Sequence, residues 1–241
     1  SVTPDKKIRK PFLRITHAEA MERYGHDAPD LRFDMEIIDC SDLAATTDFR
    51  VFRGAVDAGG KVRGINVKGA AEQFSRKRID ELTEYVKQDF SAKGLAWFRV
   101  EEDGSLWSPF AKNVEEEVLS GIGQRMEAEP GDQLFFIADS WEVSCKALAG
   151  IRRRLGAELE LYAPGTMHFS WVIEFPMFDR DEETGAWVAM HHPFTAPRVQ
   201  DSELLESDPG ACRAQAYDLV INGSEAGGGT IRIHDSVVQQ Q

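Results

Sequence analysis

Two acids seven residues apart, Asp218 and Glu225, are the first candidates for chemistry. Asp218 interrupts an apolar, strand-like run, "YDLVI", and Glu225 lies just past the turn "NGS". A strand, a turn and a returning strand can bring two such carboxylates together. That pairing suits a hard divalent ion, because Mg²⁺ takes one or two carboxylates plus phosphate oxygens. The same spacing is also met by Asp218 facing solvent on an edge strand with Glu225 on the surface of the turn. Gly227, Gly228 and Gly229 follow, removing every Cβ along three residues. Such a run lets a planar ring or a phosphate approach the backbone, and it also serves as a bulge or hairpin turn. It matches neither G-x-G-x-x-G nor the Walker pattern. In "TIRIHD" the period is two, so Ile231 and Ile233 share one face and Thr230, Arg232 and His234 the other. Arg232 there can grip a carboxylate or phosphate in bidentate fashion, or sit on the wet face of a sheet. His191 and His192 are adjacent at a strand end. Neighbours on a strand point to opposite faces, which makes a poor zinc site and leaves one ring for a ligand and the other to pack or cap. No Ser/His/Asp or Cys/His nucleophile arrangement stands out.

These residues need elements to hold them, and the chain reads in three parts. Residues 1–38 carry one helix, "HAEAMERYG". Thr16 and Glu19 form its capping box, Gly25 its end, and an extended "DAPDLRF" follows. Residues 39–155 read as a compact α/β unit. "FRVFRGAV" and "VRGINV" are expected as strands around the turn "DAGGK". "SRKRIDELTEYVKQDF" is a helix capped by Ser75, with Ile79, Leu82 and Val86 on one face. "GLAWFRV" and "SLWSPF" flank the turn "EEDG". Val114, Val118, Ile122 and Met126 recur at helical spacing, and "QLFFIAD" reads as a buried strand. "SWEVSCKALAGIRRRLG" is a helix capped by Ser140 and ended by Gly156. In residues 156–241, "FSWVIEFPMF" and "WVAMHHPF" are expected to form one antiparallel hairpin around "DRDEETGA". A short acidic helix around "DSELLESD" precedes a second pair, "AYDLVING" with "GGTIRIHD".

The totals bound the function. A chain of 241 residues with 42% hydrophobic content and 14 Phe has ample material for a core. No apolar run is long enough to span a membrane, and "SVTPDKKIRKPFLRI" lacks an apolar signal core. Without an initiator Met, and ending in "SVVQQQ", the chain is read as cut at both ends. Cys40, Cys145 and Cys212 are scattered without CxxC spacing, which reads as a reduced, cytoplasmic protein with three buried thiols. A net charge of −13 argues against a broad grip on nucleic acid. "SRKRID" and "IRRRLG" are locally basic, and both are read as solvated helix faces.

Four blocks in this order, "ITHAEAMERYGHDAPDLRF", "WVIEFPMF", "WVAMHHPFTAP" and "AYDLVINGSEAGGGTIRIHD", resemble the bacterial-type aspartyl-tRNA synthetase family. The middle block, with "AKGLAWFRVEEDG" and "GDQLFFIAD", resembles that family's GAD insertion domain, which is shared with the B subunit of the tRNA-dependent amidotransferase. The resemblance implies an α+β fold: a class II antiparallel-sheet core in residues 1–38 and 156–241, interrupted by the α/β GAD domain in residues 39–155. It implies ATP-dependent activation of aspartate to aspartyl-adenylate and transfer to the 3′ end of tRNA, in a cytoplasmic homodimer. L-aspartate and tRNA-Asp are the implied partners, with tRNA-Asn as a further acceptor left open, and ATP with Mg²⁺ the implied cofactors. On matched positions, Glu225 is an ATP and Mg²⁺ residue, Asp218 joins it at the metal, Arg232 holds the aspartate side chain, and His191 lines the aspartate pocket. Two positions depart from the pattern: Ser224 and His17 stand where the family usually has Tyr. No "FRDED"-like motif 2, no "GLALGLDR"-like motif 3 and no anticodon-binding barrel occur in the chain. In isolation the chain is therefore expected to be inactive and, without the motif 1 interface, to assemble weakly. A non-catalytic interaction module built on the GAD domain is the alternative function; the flanking "HHPFT" and "EAGGGTIRIHD" decide against an amidotransferase subunit.

Overall fold

The structure, a computed structural model, describes residues 10–181 and 183–240. Its contacts divide into two units. One takes the described part of Ser1–Met21, Asp27–Arg32 and Pro164–Gln241; the other takes Glu22–His26 and Phe33–Ala163.

Among the described residues the first element is β1 (Leu13–Thr16), which runs directly into α1 (His17–Tyr24). The capping box forms as its spacing requires. Glu19 N donates to Thr16 Oγ1 at 3.1 Å, and Thr16 N donates back to the Glu19 carboxylate at 3.0 Å. Gly25 takes φ +69° directly after the helix.

The second unit is a five-stranded antiparallel sheet with helices on both faces. In chain order its elements are β2 (Ile38–Asp39), α2 (Ser41–Ala44), α3 (Arg50–Asp57), β3 (Lys61–Val67), α4 (Arg76–Phe90), β4 (Ala96–Val100), β5 (Leu106–Trp107), α5 (Glu116–Arg125), β6 (Gln133–Asp139) and α6 (Trp141–Glu158). The strand order is β2-β3-β6-β4-β5. β6 is apolar without alternation because both its faces are covered. Phe135 and Ile137 join the core under α4 and α6, while Leu134 and Phe136 join the core under α3 and α5. Ile79, Leu82 and Val86 of α4 are all buried, and burying each is worth about 1.5–3 kcal/mol. Ser75 and Ser140 cap α4 and α6 by accepting from Arg78 N and Val143 N.

Three expectations for this unit fail. "FRVFRGAV" is the helix α3: Phe49, Phe52 and Ala55 recur every third residue, Phe52 and Ala55 are buried, and Val51 is exposed. The apolar residues at 49, 51 and 55 also fit the period of two of a strand. "DAGGK" is accordingly the exit from a helix, with Gly59 at φ +78°. Gly156 does not end α6. It lies inside the helix, where a Cβ would meet the Phe33 ring at 2.5 Å. "IRRRLG" is also not a wholly solvated face. Arg152 is buried, donating to the carbonyls of Met35 and Phe33 at 3.0 Å and stacking on Tyr24 and Phe33.

The first unit resumes with β7 (Phe169–Ile173), β8 (Phe178–Arg180), β9 (Trp187–Ala189), α7 (Leu204–Ser207), β10 (Ala216–Ile221), β11 (Ser224–Thr230) and α8 (Ser236–Gln240). Its main sheet has the order β1-β7-β10-β11, with β1 and β7 parallel and the other pairs antiparallel. "FSWVIEFPMF" is therefore two strands. It breaks at Glu174, which takes φ +60° and accepts from both Arg198 and Arg213. β7 joins the main sheet, and only β8 pairs with β9. β10 and β11 form a hairpin on Asn222 and Gly223, at φ +53° and +80°, the signs a two-residue type I′ turn needs. β11 is made of the glycine run itself, so the three glycines are strand and not turn. The strand stops at Thr230, earlier than the alternation of "TIRIHD" suggested.

The mixed α/β architecture with antiparallel sheets agrees with the expected class at that level. Among the described residues no helix is long and apolar enough to cross a membrane. Cys40, Cys145 and Cys212 are all buried, and none of them forms a disulfide.

Candidate active site

Register decides where the two acids go. Asp218 lies opposite Gly228 on β11 and opposite Val172 on β7. Directly opposed residues share a face. Asp218 therefore stands in the row of buried Ile15, Val172, Ala216 and Val220, itself half-buried. A bulge between Leu219 and Val220 then skips Ala226 and sets Glu225 opposite Val220. Without that bulge Glu225 would pair with Ile221, on the other face. The extra residue thus turns Glu225 onto the side of Asp218.

The glycines have distinct roles. A Cβ on Gly228 would overlap the Asp218 carboxylate, so this glycine makes room for that acid to lie across the strand. A Cβ on Gly229 would meet the Tyr217 ring, 2.8 Å from its hydroxyl. At Gly227, opposite Leu219 and so on the face away from Asp218, a Cβ would project into open space.

Charge coupling ties four further groups to this row. Burial pushes the Asp218 carboxyl above its usual range, the negative charge of Glu225 adds to this, His191 opposes it, and Asp27 adds a smaller push. Burial holds the His17 imidazole below its usual range, partly offset by Asp27 and reinforced by His191. Phe175, buried between the two rings, lies 5.0 Å from His17 and 4.8 Å from His191, centroid to centroid. Asp27 and His17 were not singled out as site residues from sequence. No spacing rule links the first residue of a helix, or the loop leaving it, with an acid about 200 positions on.

Arg232 occupies a different hollow. It is exposed and forms an isolated antiparallel bridge with Thr195 rather than a place on a strand. It shares a shallow hollow with His192, Phe194, Ile233 and Gln239; Asp218, Glu225 and His191 are not in that lining. His192 is committed locally, with its Nδ1 accepting from Phe194 N at 3.1 Å. The two adjacent histidines thus diverge, from the loop after β9.

Two carboxylates, one of them pushed above its usual range first by burial and then by the other's charge, are a candidate cation site, and a divalent ion with phosphate oxygens would relieve that repulsion. Among the described residues no group of three or more His, Cys, Asp or Glu is arranged to hold a metal. The pair therefore suits an ion that brings most of its ligands with it. That is the behaviour of Mg²⁺ on a polyphosphate, and it is unlike a structural zinc.

The chain is similar to known proteins over nearly all of its length. The GAD domain profile matches residues 52–148. The chain is 65% identical over 236 residues to the aspartate–tRNA(Asp/Asn) ligase of Rhodopirellula baltica, covering 98% of this chain and 40% of that protein. It is 52% identical over 235 residues to the ligase of the same name from Bacillus cytotoxicus, with coverage of 98% and 40%. For the one from Desulfatibacillum aliphaticivorans the identity is 48%, with coverage of 98% and 39%. The chain thus spans about two fifths of the length of these curated relatives. Residues 52–148 are similar to the GAD domain, and the chain is similar, over nearly all of its own length, to part of the aspartate–tRNA(Asp/Asn) ligases.

Proposed function

We propose that these residues form the GAD insertion and part of the class II catalytic core of an enzyme that activates L-aspartate with ATP and transfers it to tRNA. The observation that carries this reading is the 65% identity running through both flanks of the GAD match. The relatives' names point to both tRNA-Asp and tRNA-Asn as acceptors, and the family resemblance implies a cytoplasmic homodimer of the full-length protein.

In this reading Asp218 and Glu225 hold Mg²⁺ and the ATP phosphates. A bound Mg²⁺ would supply charge neutralisation at the phosphates for displacement of pyrophosphate from the α-phosphate by the aspartate carboxylate. The chain's own groups position the reactants. Gly228 leaves the Asp218 carboxylate room to lie across the strand, and Arg232 grips the aspartate side chain through two N–H donors. His191 lines the amino-acid pocket, and Asp27 adds a further negative charge coupled to Asp218 and His17. Positioning of this kind accounts for most of the acceleration available to an in-line displacement.

The test is ATP–pyrophosphate exchange by the polypeptide of the whole reading frame that contains this chain. Exchange is expected to depend on L-aspartate. Glu225→Gln is expected to lower kcat/KM at least about a hundredfold. Arg232→Lys is expected to act mainly through the KM for aspartate, because Lys cannot form the bidentate grip. Charging of tRNA-Asn transcripts beside tRNA-Asp reads the acceptor range. Exchange without aspartate dependence, or none at all, would overturn the proposal and favour a non-catalytic module. The 241-residue chain by itself, without motif 2 and motif 3 segments, is expected to show no exchange.

A further inference from the structure

A concavity inside the five-stranded unit plays no part in the reaction proposed above. It has a volume of 640 Å³, within the range of small-molecule sites. Its wall is Phe49 and Phe110, whose rings stack at 5.2 Å and 4° between planes. Its floor is Ala55, Ala96 and Ala138, which are all small. Gly54 of α3 and Gly94 before β4 also line it, and at both a Cβ would meet nothing within 4 Å. The space is therefore kept open by the absence of side chains.

The mouth carries charge of one sign. Arg50 and Lys93 are the only charged residues in the lining. Among the described residues the Arg50 side chain makes no hydrogen bond or ion pair, and Lys93 Nζ is 3.6 Å from the Asp139 carboxylate, a loose pairing. That carboxylate is also engaged by Lys93 N at 3.1 Å and Ser140 N at 2.9 Å. On a chain with net charge −13, an uncompensated guanidinium over an apolar slot is locally complementary to an anion. The remaining lining is Phe, Val, Gly, Ala and Leu, with no side chain able to read the polar edge of a nucleobase.

We propose that this pocket binds a small flat organic anion, a carboxylate carried on one or two apolar aromatic rings. The ring lies against Phe110 and over the small-residue floor, and the carboxylate meets Arg50 at the mouth. Arg and an aromatic wall together favour such a ligand over a neutral one of the same shape.

The test uses the full 241-residue chain, isotope-labelled, titrated with 2-naphthoate and with its neutral analogue 2-naphthalenemethanol. Saturable shifts are expected at the amides of Gly54, Gly94 and Ala138, with the alcohol binding roughly tenfold more weakly. Arg50→Ala, at an exposed position that leaves the fold intact, is expected to remove that difference. Gly54→Leu fills the slot from a helical position with open space around it, and is expected to abolish binding while circular dichroism is unchanged. Equal binding of acid and alcohol, binding that survives Gly54→Leu, or no saturable shift at these amides would overturn the proposal. Shifts at the same amides that follow protein concentration without ligand would also overturn it, in favour of a second copy of the chain.

Discussion

At the scale of single residues, Asp218 sits where folding disfavours its charge. Its carboxyl titrates above its usual range because of burial and Glu225. The favourable contribution of such a group is fully present below the unfolded value of 3.8 and is lost as pH rises through the folded value. Asp218→Asn is therefore expected to raise Tm at pH 7, with the advantage shrinking towards pH 4, in thermal melts at the two pH values. A lower Tm at pH 7 would show that the carboxylate is held by favourable partners instead. Gly228→Ala makes a second residue-scale prediction. Its methyl overlaps the Asp218 carboxylate, and a loss of about 1–3 kcal/mol is expected. Adding Asp218→Ala should recover most of that loss, a coupling that a double-mutant cycle by denaturant unfolding measures. The types of these residues were legible in the sequence, but their pairing was not. From spacing alone, Asp218 on a wet edge and Glu225 on a turn fitted as well.

At the scale of elements, local signals were read correctly where the chemistry is local. Thr16 with Glu19, Ser75 and Ser140 cap their helices through the side chains expected to do so. Ser75→Ala and Ser140→Ala are each expected to cost about 1 kcal/mol in denaturant unfolding. Glycines inside helices separate propensity from packing. Gly54→Ala in α3, with nothing near the new methyl, should stabilise by about 1 kcal/mol. Gly156→Ala in α6 should destabilise despite the same gain in propensity, because Phe33 fills the space. Opposite signs from one substitution type in the same melt series would confirm that distinction. The misread elements failed for tertiary reasons. α3 looked like a strand because its apolar residues satisfy both periods. Glu174 breaks a continuous apolar run only because Arg198 and Arg213 hold its carboxylate.

At the scale of the whole molecule, two units are packed around their own contacts. The five-stranded unit has buried clusters on both sheet faces. The other unit presents the glycine strand β11 as the last strand of its sheet, with little apolar surface to bury. Calorimetry is expected to show two transitions, the lower belonging to the unit that holds Asp218 and Glu225; a single two-state peak would contradict this. The sequence by itself determined the helix caps, the buried strand β6, the turns at glycine, and, through motif order, the family to which the chain is related. These depend on interactions a few residues long or on identity at fixed positions. Only the tertiary structure decided that β1 pairs with β7, that Arg152 is buried, and that Asp218 and Glu225 share a face. That last outcome rests on one skipped residue, Ala226, in the β10–β11 ladder. Strand side chains alternate with period two, so a single bulge reverses every assignment beyond it.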